Sequence, residues 1–143
     1  PVVRTEHREE NLSAFGAYEL AAASNDAKVT IFATGSEVEI ALKARDLLEG
    51  KGIATRVVSV PCFELFEEQS DAYKKATLGD APVKIAIEAA LGLGWERFIG
   101  ENGIFIGMKG FGASGEINDL YKHFGITAEH AAEAAEKKLN AAA

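Results

Sequence analysis

Short apolar runs alternate with helix-type patterns along most of this chain. From Val29 to Thr34 (VTIFAT) nearly every residue is apolar or β-branched, which is typical of a strand buried on both faces. Gly35 ends the run, and Ser36 and Glu39 then have the spacing of a helix capping box. Behind the box, apolar residues recur with the period of one helix face: Ile40, Ala44, Leu47 and Leu48. The pattern predicts a strand, a tight turn and a helix.

Three more apolar runs have the length of strands. They are Ala54 to Val60 (ATRVVSV), Val83 to Glu88 (VKIAIE) and Gly103 to Met108 (GIFIGM). A helical pattern from about Leu65 to Leu78 lies between the first two, and Thr127 is placed to cap an alanine-rich helix at the end of the chain. Strands that alternate with helices predict a mostly parallel sheet covered by helices on both faces.

Two segments near the start do not follow this alternation. The first dozen residues (PVVRTEHREENL) are polar and show no period, which is typical of a connector or of an arm lying on a neighbour. Ala17 to Ala23 (AYELAAA) has helical propensity, yet its place before the first strand–helix unit also suits a short strand. The residues leave both interpretations open.

Composition and charge exclude several classes of function. A length of 143 residues with 48% hydrophobic and 26% charged residues predicts one ordinary globular domain. A net charge of −7 argues against a nucleic-acid partner, which needs a basic face, and gives no attraction to an anionic membrane. One cysteine, Cys62, cannot form an internal disulfide, which favours a cytoplasmic location. That thiol and three scattered histidines supply no metal-ligand spacing.

Residues 110–115 read GFGASG, a literal match to the glycine pattern of dinucleotide-binding proteins. That pattern normally opens the first strand–helix unit, and a later strand carries the acid that binds the ribose. Here it lies in the last unit, where no strand follows. The better interpretation is a tight glycine turn before a helix that Ser114 caps.

Thr34, Gly35 and Ser36 form a better candidate for binding an anion. They join the carboxyl end of a buried strand to a helix start, where free N–H groups and the helix dipole favour negative charge. The alternative is an ordinary helix cap, and no Lys or Arg stands close in sequence to hold a phosphate. A regulatory module that binds an anion or a nucleotide is therefore the second functional hypothesis.

The remaining candidate groups favour structural roles. Glu88 closes a strand, where a carboxylate can do proton chemistry but more often binds loop N–H groups. Cys62 has no basic neighbour in sequence to lower its pKa, so a quiet, half-buried thiol is expected. His7 belongs to a charged arm, and Trp95 and Phe98 are expected to be packing anchors. No nucleophile–base pair is visible.

Several motifs together resemble the carboxyl-terminal domain of transketolase. They occur in that family's order and spacing: GAYEL (16–20), ATGSEV (33–38), VSVPCFELFEEQ (58–69), GWERFIG (94–100), and GFGASG followed by KHFGIT (122–127). Other thiamine-diphosphate enzymes share the domain type, but PCFELF together with GWERFIG favours transketolase. The resemblance covers nearly the full chain from Gly16.

The resemblance implies a three-layer α/β/α fold around a mixed, mostly parallel five-stranded sheet. It makes AYELAAA the first strand, antiparallel to the others, although the segment's composition favours a helix. Residues 1–15 become a connector from a preceding domain, and residues 16–143 become the domain itself. Pro1 then marks a cut made after that preceding domain.

The resemblance also makes one loop a candidate for a domain interface. Phe111, Gly112, Ala113 and Ser114 correspond to a structural turn of the family, and the flanking glycines complete the dinucleotide-like pattern. Many relatives carry a basic residue just before this turn, where this chain has Lys109 and Gly110. A role for that charge at a domain boundary is therefore in doubt here.

The implied function belongs to a longer protein. An intact transketolase transfers a two-carbon ketol unit between sugar phosphates, in the pentose phosphate pathway or the Calvin cycle, using thiamine diphosphate and a divalent metal (Mg or Ca). It is a homodimer whose two preceding domains hold the catalytic, cofactor and sugar-phosphate residues. None of those residues maps onto this chain, so we expect it to bind no cofactor, to catalyse nothing alone and to have a structural, dimer-supporting role.

Overall fold

A computed structural model describes residues 14–35, 37–88, 96–100, 103–107 and 127–142. Its five strands are β1 (Tyr18–Ala21), β2 (Val29–Ala33), β3 (Thr55–Ser59), β4 (Val83–Glu88) and β5 (Ile104–Gly107). The helices are α1 (Glu37–Glu49), α2 (Phe63–Glu67), α3 (Asp71–Leu78), α4 (Glu96–Ile99) and α5 (Ala128–Ala142). Every strand expected from the sequence is present.

The strands form one sheet in the order β1-β3-β2-β4-β5. β1 is antiparallel to β3, whereas the pairs β2–β3, β2–β4 and β4–β5 are parallel. The mixed five-stranded sheet implied by the resemblance is therefore confirmed, and AYELAAA is a strand rather than a helix. Pairing with β3 provides the hydrogen bonds that override its local helical propensity.

One face of the sheet is covered by α1 and α5. Alternate residues of the central strands point to this side, and the two helices meet them and each other through small side chains. The buried residues of this aliphatic core are Val29, Ile31, Ala33, Ala41, Ala44, Leu48, Val57, Val83, Ile85, Ile87, Ile106, Ala128, Ala131, Ala132 and Ala135. Alanine at the helix contacts lets the backbones approach closely.

The opposite face carries an aromatic core beneath α2, α3 and α4. Phe98 lies at its centre, with its ring centroid 5.1 Å from that of Phe66, 5.2 Å from that of Phe63 and 5.4 Å from that of Phe32. These separations are those of favourable aromatic pairs. Phe98 is thus the packing anchor that the sequence predicted.

One local prediction lacked detail, and another was wrong. The helical stretch from Leu65 to Leu78 is two helices, because the Ser70 hydroxyl accepts a hydrogen bond from Tyr73 N at 3.1 Å and so starts a new one. Leu47 was predicted to lie on the buried face of α1, but it is 40% exposed. The helix instead turns its smaller residues toward the sheet.

The start of β1 is fixed to the helices that follow β3. Gly16 O accepts a hydrogen bond from Cys62 N at 3.0 Å, and Ala17 O accepts one from the Tyr73 hydroxyl at 2.6 Å. A Cβ at residue 16 would overlap the backbone of Cys62 and Phe66, and φ is +85° there, so only glycine fits. The GAYEL and PCFELF motifs therefore belong to one contact.

Arg56 is a buried cation within an otherwise uncharged strand. Its Nε donates to Glu19 Oε1 of β1 at 2.7 Å, and its Nη1 donates to Thr77 O near the end of α3 at 3.0 Å. The guanidinium thus joins β3 to β1 and to a helix carboxyl end, where a positive charge is favoured. A charge inside the run ATRVVSV requires such partners, but the sequence does not identify them.

Two buried threonines differ in how their hydroxyls are satisfied. Thr30 and Thr55 are both fully buried in the central strands. The Thr55 hydroxyl donates to Ile53 O at 3.0 Å, whereas the Thr30 hydroxyl has no hydrogen-bond partner among the described residues. A buried polar group without a partner lowers stability.

The loop after β1 is held by two side chains one turn apart on α1. Arg45 donates to Ala22 O at 2.6 Å and to Thr55 O at 3.1 Å. Glu49 Oε2 accepts from Ser24 N at 3.1 Å and from Thr55 N at 2.9 Å. Hydrogen bonding by the Ser24 hydroxyl and the Thr55 N–H, with smaller effects from Ser24 N–H and Arg45, lowers the pKa of Glu49.

We expect Thr30→Val to raise the free energy of unfolding by about 1 kcal/mol, because it removes an unpartnered hydroxyl and keeps the shape of the side chain. Thr55→Val is the matched control, and the loss of its hydrogen bond should lower that free energy by about 1 kcal/mol. Urea unfolding of both variants measures the effect. Equal changes of the same sign would contradict the interpretation.

Glu49→Gln is expected to destabilise the fold at neutral pH and to have less effect in acid. Because the folded-state pKa of Glu49 is lowered, its stabilising contribution is complete above the ordinary value of 4.5 and disappears as the pH falls through the folded-state pKa. Urea unfolding at about pH 7 and about pH 4 tests this. Glu39→Gln, an exposed change on the same helix, is the control, and a pH-independent difference for Glu49→Gln would refute the prediction.

Candidate functional site

The carboxyl ends of β2 and β4 are the natural place for a site in this sheet. The connection from the end of β2 runs through α1 to β3 on one side, and the connection from the end of β4 leads through α4 to β5 on the other side. Connections that diverge in this way leave a crevice at the carboxyl edge, where ligands bind in open α/β sheets. The predicted anion-binding turn begins at this edge.

The turn itself is compact and uses its own hydrogen bonds. Thr34 O accepts from Glu37 N at 3.1 Å, and Gly35 O accepts from Val38 N at 3.2 Å. Gly35 has φ of +54° with open space where a Cβ would be. Two N–H groups at the start of α1 therefore already have partners. Ser36, including its predicted capping box, lies outside the described residues.

Glu37 is the residue at this edge that the sequence interpretation missed. It is the first residue of α1, and it is only 6% exposed. An acidic side chain at a helix start is favoured by the helix dipole, the same feature that would attract an external anion. The structure therefore places a buried acidic residue in the first turn of α1. Anion binding by Thr34, Gly35 and Ser36 stays a prediction, without support from this geometry.

Other candidate residues are spread over separate parts of the fold. Glu88 is the last residue of β4 and pairs with Gly107 of β5. Cys62 is a free, half-buried thiol after β3, with Sγ 3.6 Å from Glu64 Oε1. His7, Trp95 and the GFGASG turn with Phe111, Gly112, Ala113 and Ser114 lie outside the described residues.

Within the described ranges, no three or more His, Cys, Asp or Glu side chains come together in a way that could hold a metal ion. These residues therefore do not fit the divalent metal that the resemblance implies for the intact enzyme. In the same ranges, the helices lack the combination of length and apolar character that a membrane span needs.

Comparison with known proteins agrees with this arrangement. The family described as the transketolase-like TK C-terminal domain matches residues 16–127. A transketolase of Sinorhizobium medicae is 56% identical over 91% of this chain and 19% of its own length. One of Cereibacter sphaeroides is 52% identical over 97% of this chain and 21% of its own length. The chain thus spans about a fifth of these relatives.

The fold also matches solved transketolases. A Pichia stipitis transketolase, solved in complex with sedoheptulose-7-phosphate, superposes with a TM-score of 0.80 at 36% identity. The match covers 90% of this chain and 18% of that one. Sequence motifs, sheet topology and both kinds of comparison agree, and the chain belongs to the transketolase family as its carboxyl-terminal domain.

Proposed function

We propose that this chain serves as the non-catalytic carboxyl-terminal domain of a longer transketolase, which transfers a two-carbon ketol unit from a ketose phosphate to an aldose phosphate. The proposal is carried by the family match over residues 16–127, together with relatives that are about five times longer than this chain. In this proposal, the chain supports the enzyme by packing, and the chemistry takes place on the polypeptide before it.

The geometry of the carboxyl edge supports an inert domain. The first N–H groups of α1 bond to the turn, and the acidic Glu37 is buried beside them. The described candidate residues Glu88 and Cys62 lie on separate segments, Glu88 at the end of β4 and Cys62 in the loop after β3. Among the residues described at this edge, none favours the regulatory anion- or nucleotide-binding module over the supporting role.

Cofactor, substrates and oligomer belong to the proposal as properties of the longer protein. Thiamine diphosphate and a divalent metal would be held by the preceding domains, which would also bind the sugar phosphates and form the homodimer. The sugar phosphate in the Pichia stipitis complex supports this substrate class. The free thiol of Cys62 is compatible with the cytoplasm.

The domain boundary is also part of the proposal. Residues 1–15 would connect the preceding domain to residues 16–143, and the start of the family match at residue 16 supports that division. The clamped backbone at Gly16 gives a physical reason, because a hydrogen bond from Cys62 N and close packing on α2 hold the chain at this residue. The loop from Phe111 to Ser114 remains a proposed part of the interface with a neighbouring domain.

A fusion tests the proposal, because a relative can supply the polypeptide that comes before this domain. The matching carboxyl-terminal segment of the Sinorhizobium medicae transketolase is replaced by this chain, and the fusion is compared with the isolated chain. With thiamine diphosphate, Mg²⁺ and sugar phosphates, we expect ketol transfer by the fusion and none by the isolated chain. Transfer by the isolated chain, or an inactive fusion that is folded and dimeric, would contradict the proposal.

A further inference from the structure

We propose that a surface formed by Phe15, Pro61 and Leu65, here named the docking patch, receives the polypeptide that precedes this chain in the longer protein. The partner would present an apolar surface bordered by basic side chains. This inference rests on the proposed function only in taking the chain to be one part of a longer polypeptide. It assigns a specific face to a contact that the family membership leaves unspecified.

The docking patch is built on rigid backbone. Gly16 lies against the first turn of α2, where a Cβ would overlap Phe66 N and approach the carbonyl carbon of Leu65 to 2.8 Å. The Phe15 ring packs on Tyr73 with the centroids 5.2 Å apart. Phe15 and Leu65 are therefore held on either side of one fixed glycine. A partner would meet a preformed surface, which reduces the entropy lost on association.

The apolar side chains of the docking patch are exposed. Phe15 is 39% exposed and Leu65 is 38% exposed, and with Leu47 at 40% they are the exposed large hydrophobic residues of the described ranges. Pro61 is also exposed, and it directly precedes Cys62, whose N–H bonds to Gly16 O. Phe15 and Leu65 thus lie at one location, whereas Leu47 lies on α1, across the sheet. Clustered exposed apolar groups mark interaction surfaces, and single ones do not.

Charge defines the chemistry of the partner. Glu64 and Glu68 are exposed on either side of Leu65 in and just after α2. An apolar centre with an acidic border fits a partner surface with apolar residues at its centre and Lys or Arg around them. The whole chain carries a net charge of −7, so a second copy of the same acidic surface is a poor occupant.

The position of the docking patch identifies the preceding polypeptide as its occupant. Phe15 belongs both to the patch and to the segment through which the chain enters the domain. The relatives carry about four-fifths of their length outside the matching segment, since the chain covers 19% and 21% of them. A domain that comes before the connector of residues 1–15 is tethered to the docking patch through that short segment, and tethering gives a high effective concentration there.

Cys62 serves as a natural reporter of the contact. It follows Pro61, its N–H bonds to Gly16 O, and its thiol is free and half-buried. The test measures the rate of maleimide labelling at Cys62, by mass spectrometry of its peptide, in the isolated chain and in the transketolase fusion described above. We expect labelling at least about tenfold slower in the fusion, because a domain interface would cover the thiol.

Matched leucine variants identify the surface responsible. Leu65→Asp in the fusion should restore labelling to within about twofold of the isolated chain, while Leu47→Asp, an equally exposed leucine on the opposite face, should leave the protection intact. Leu65→Ala provides a milder change if the aspartate variant does not fold. Equal rates in the isolated chain and the fusion, whether fast or slow, would overturn the proposal. So would protection that survives both Leu65 variants.

The labelling rate of Cys62 tests the docking patch and ketol transfer tests the proposed function, so the two measurements are independent. An active fusion with unprotected Cys62 would retain the proposed function and reject the docking patch. An inactive fusion in which Leu65→Asp removes the protection of Cys62 would support the patch and count against the function.

Discussion

The burial of β2, β3 and β4 on both faces is the constraint on which the rest of the fold depends. Alternate side chains of these strands must enter two different cores, an aliphatic one under α1 and α5 and an aromatic one under α2, α3 and α4. A shift of one residue in register would exchange the two sets. The positions of both helical layers follow from this alternation.

The same constraint makes polar residues of these strands informative. Arg56 is accommodated in the sheet because Glu19 and Thr77 O accept its hydrogen bonds, and those contacts attach the antiparallel edge strand β1 and the end of α3. Thr30, on the neighbouring strand in register with Arg56, has no comparable partner among the described residues. The Arg56 guanidinium therefore connects parts of the fold, whereas the Thr30 hydroxyl lowers its stability.

The sequence predicted the elements whose signal is local. β2, β3, β4 and β5 followed from continuous apolar runs, and the Thr127 cap of α5 is present, with Thr127 Oγ1 accepting from His130 N at 3.1 Å. β1 required the family resemblance, because a strand made of AYELAAA is stabilised by pairing with β3 rather than by its own residues. The break between α2 and α3 was missed, because the Ser70 cap lies within a continuous helical pattern.

The candidate site was predicted only in its position. Thr34 and Gly35 do lie at the carboxyl edge of the sheet, as a strand–turn–helix pattern requires. The burial of Glu37 beside them depends on how α1 packs on the sheet. The predicted buried face of this helix was wrong at Leu47, so the helical period did not reveal that Glu37 is buried. An acidic first turn in GSEVE was the available signal, and it equally suits an exposed helix start.

Gly16 connects these observations to the role of the domain. Because no side chain fits there, the backbone before β1 touches α2 directly, and Tyr73 holds the next carbonyl. Pairing of β1 with β3 would by itself be enough to order the strand. The contact at Gly16 is therefore an additional attachment. The fixed glycine is also the first residue of the family match, and its contact with α2 sets how the chain enters β1. Attachment of the entry segment to the helices after β3 is therefore as much a part of the described fold as the pairing of the strands.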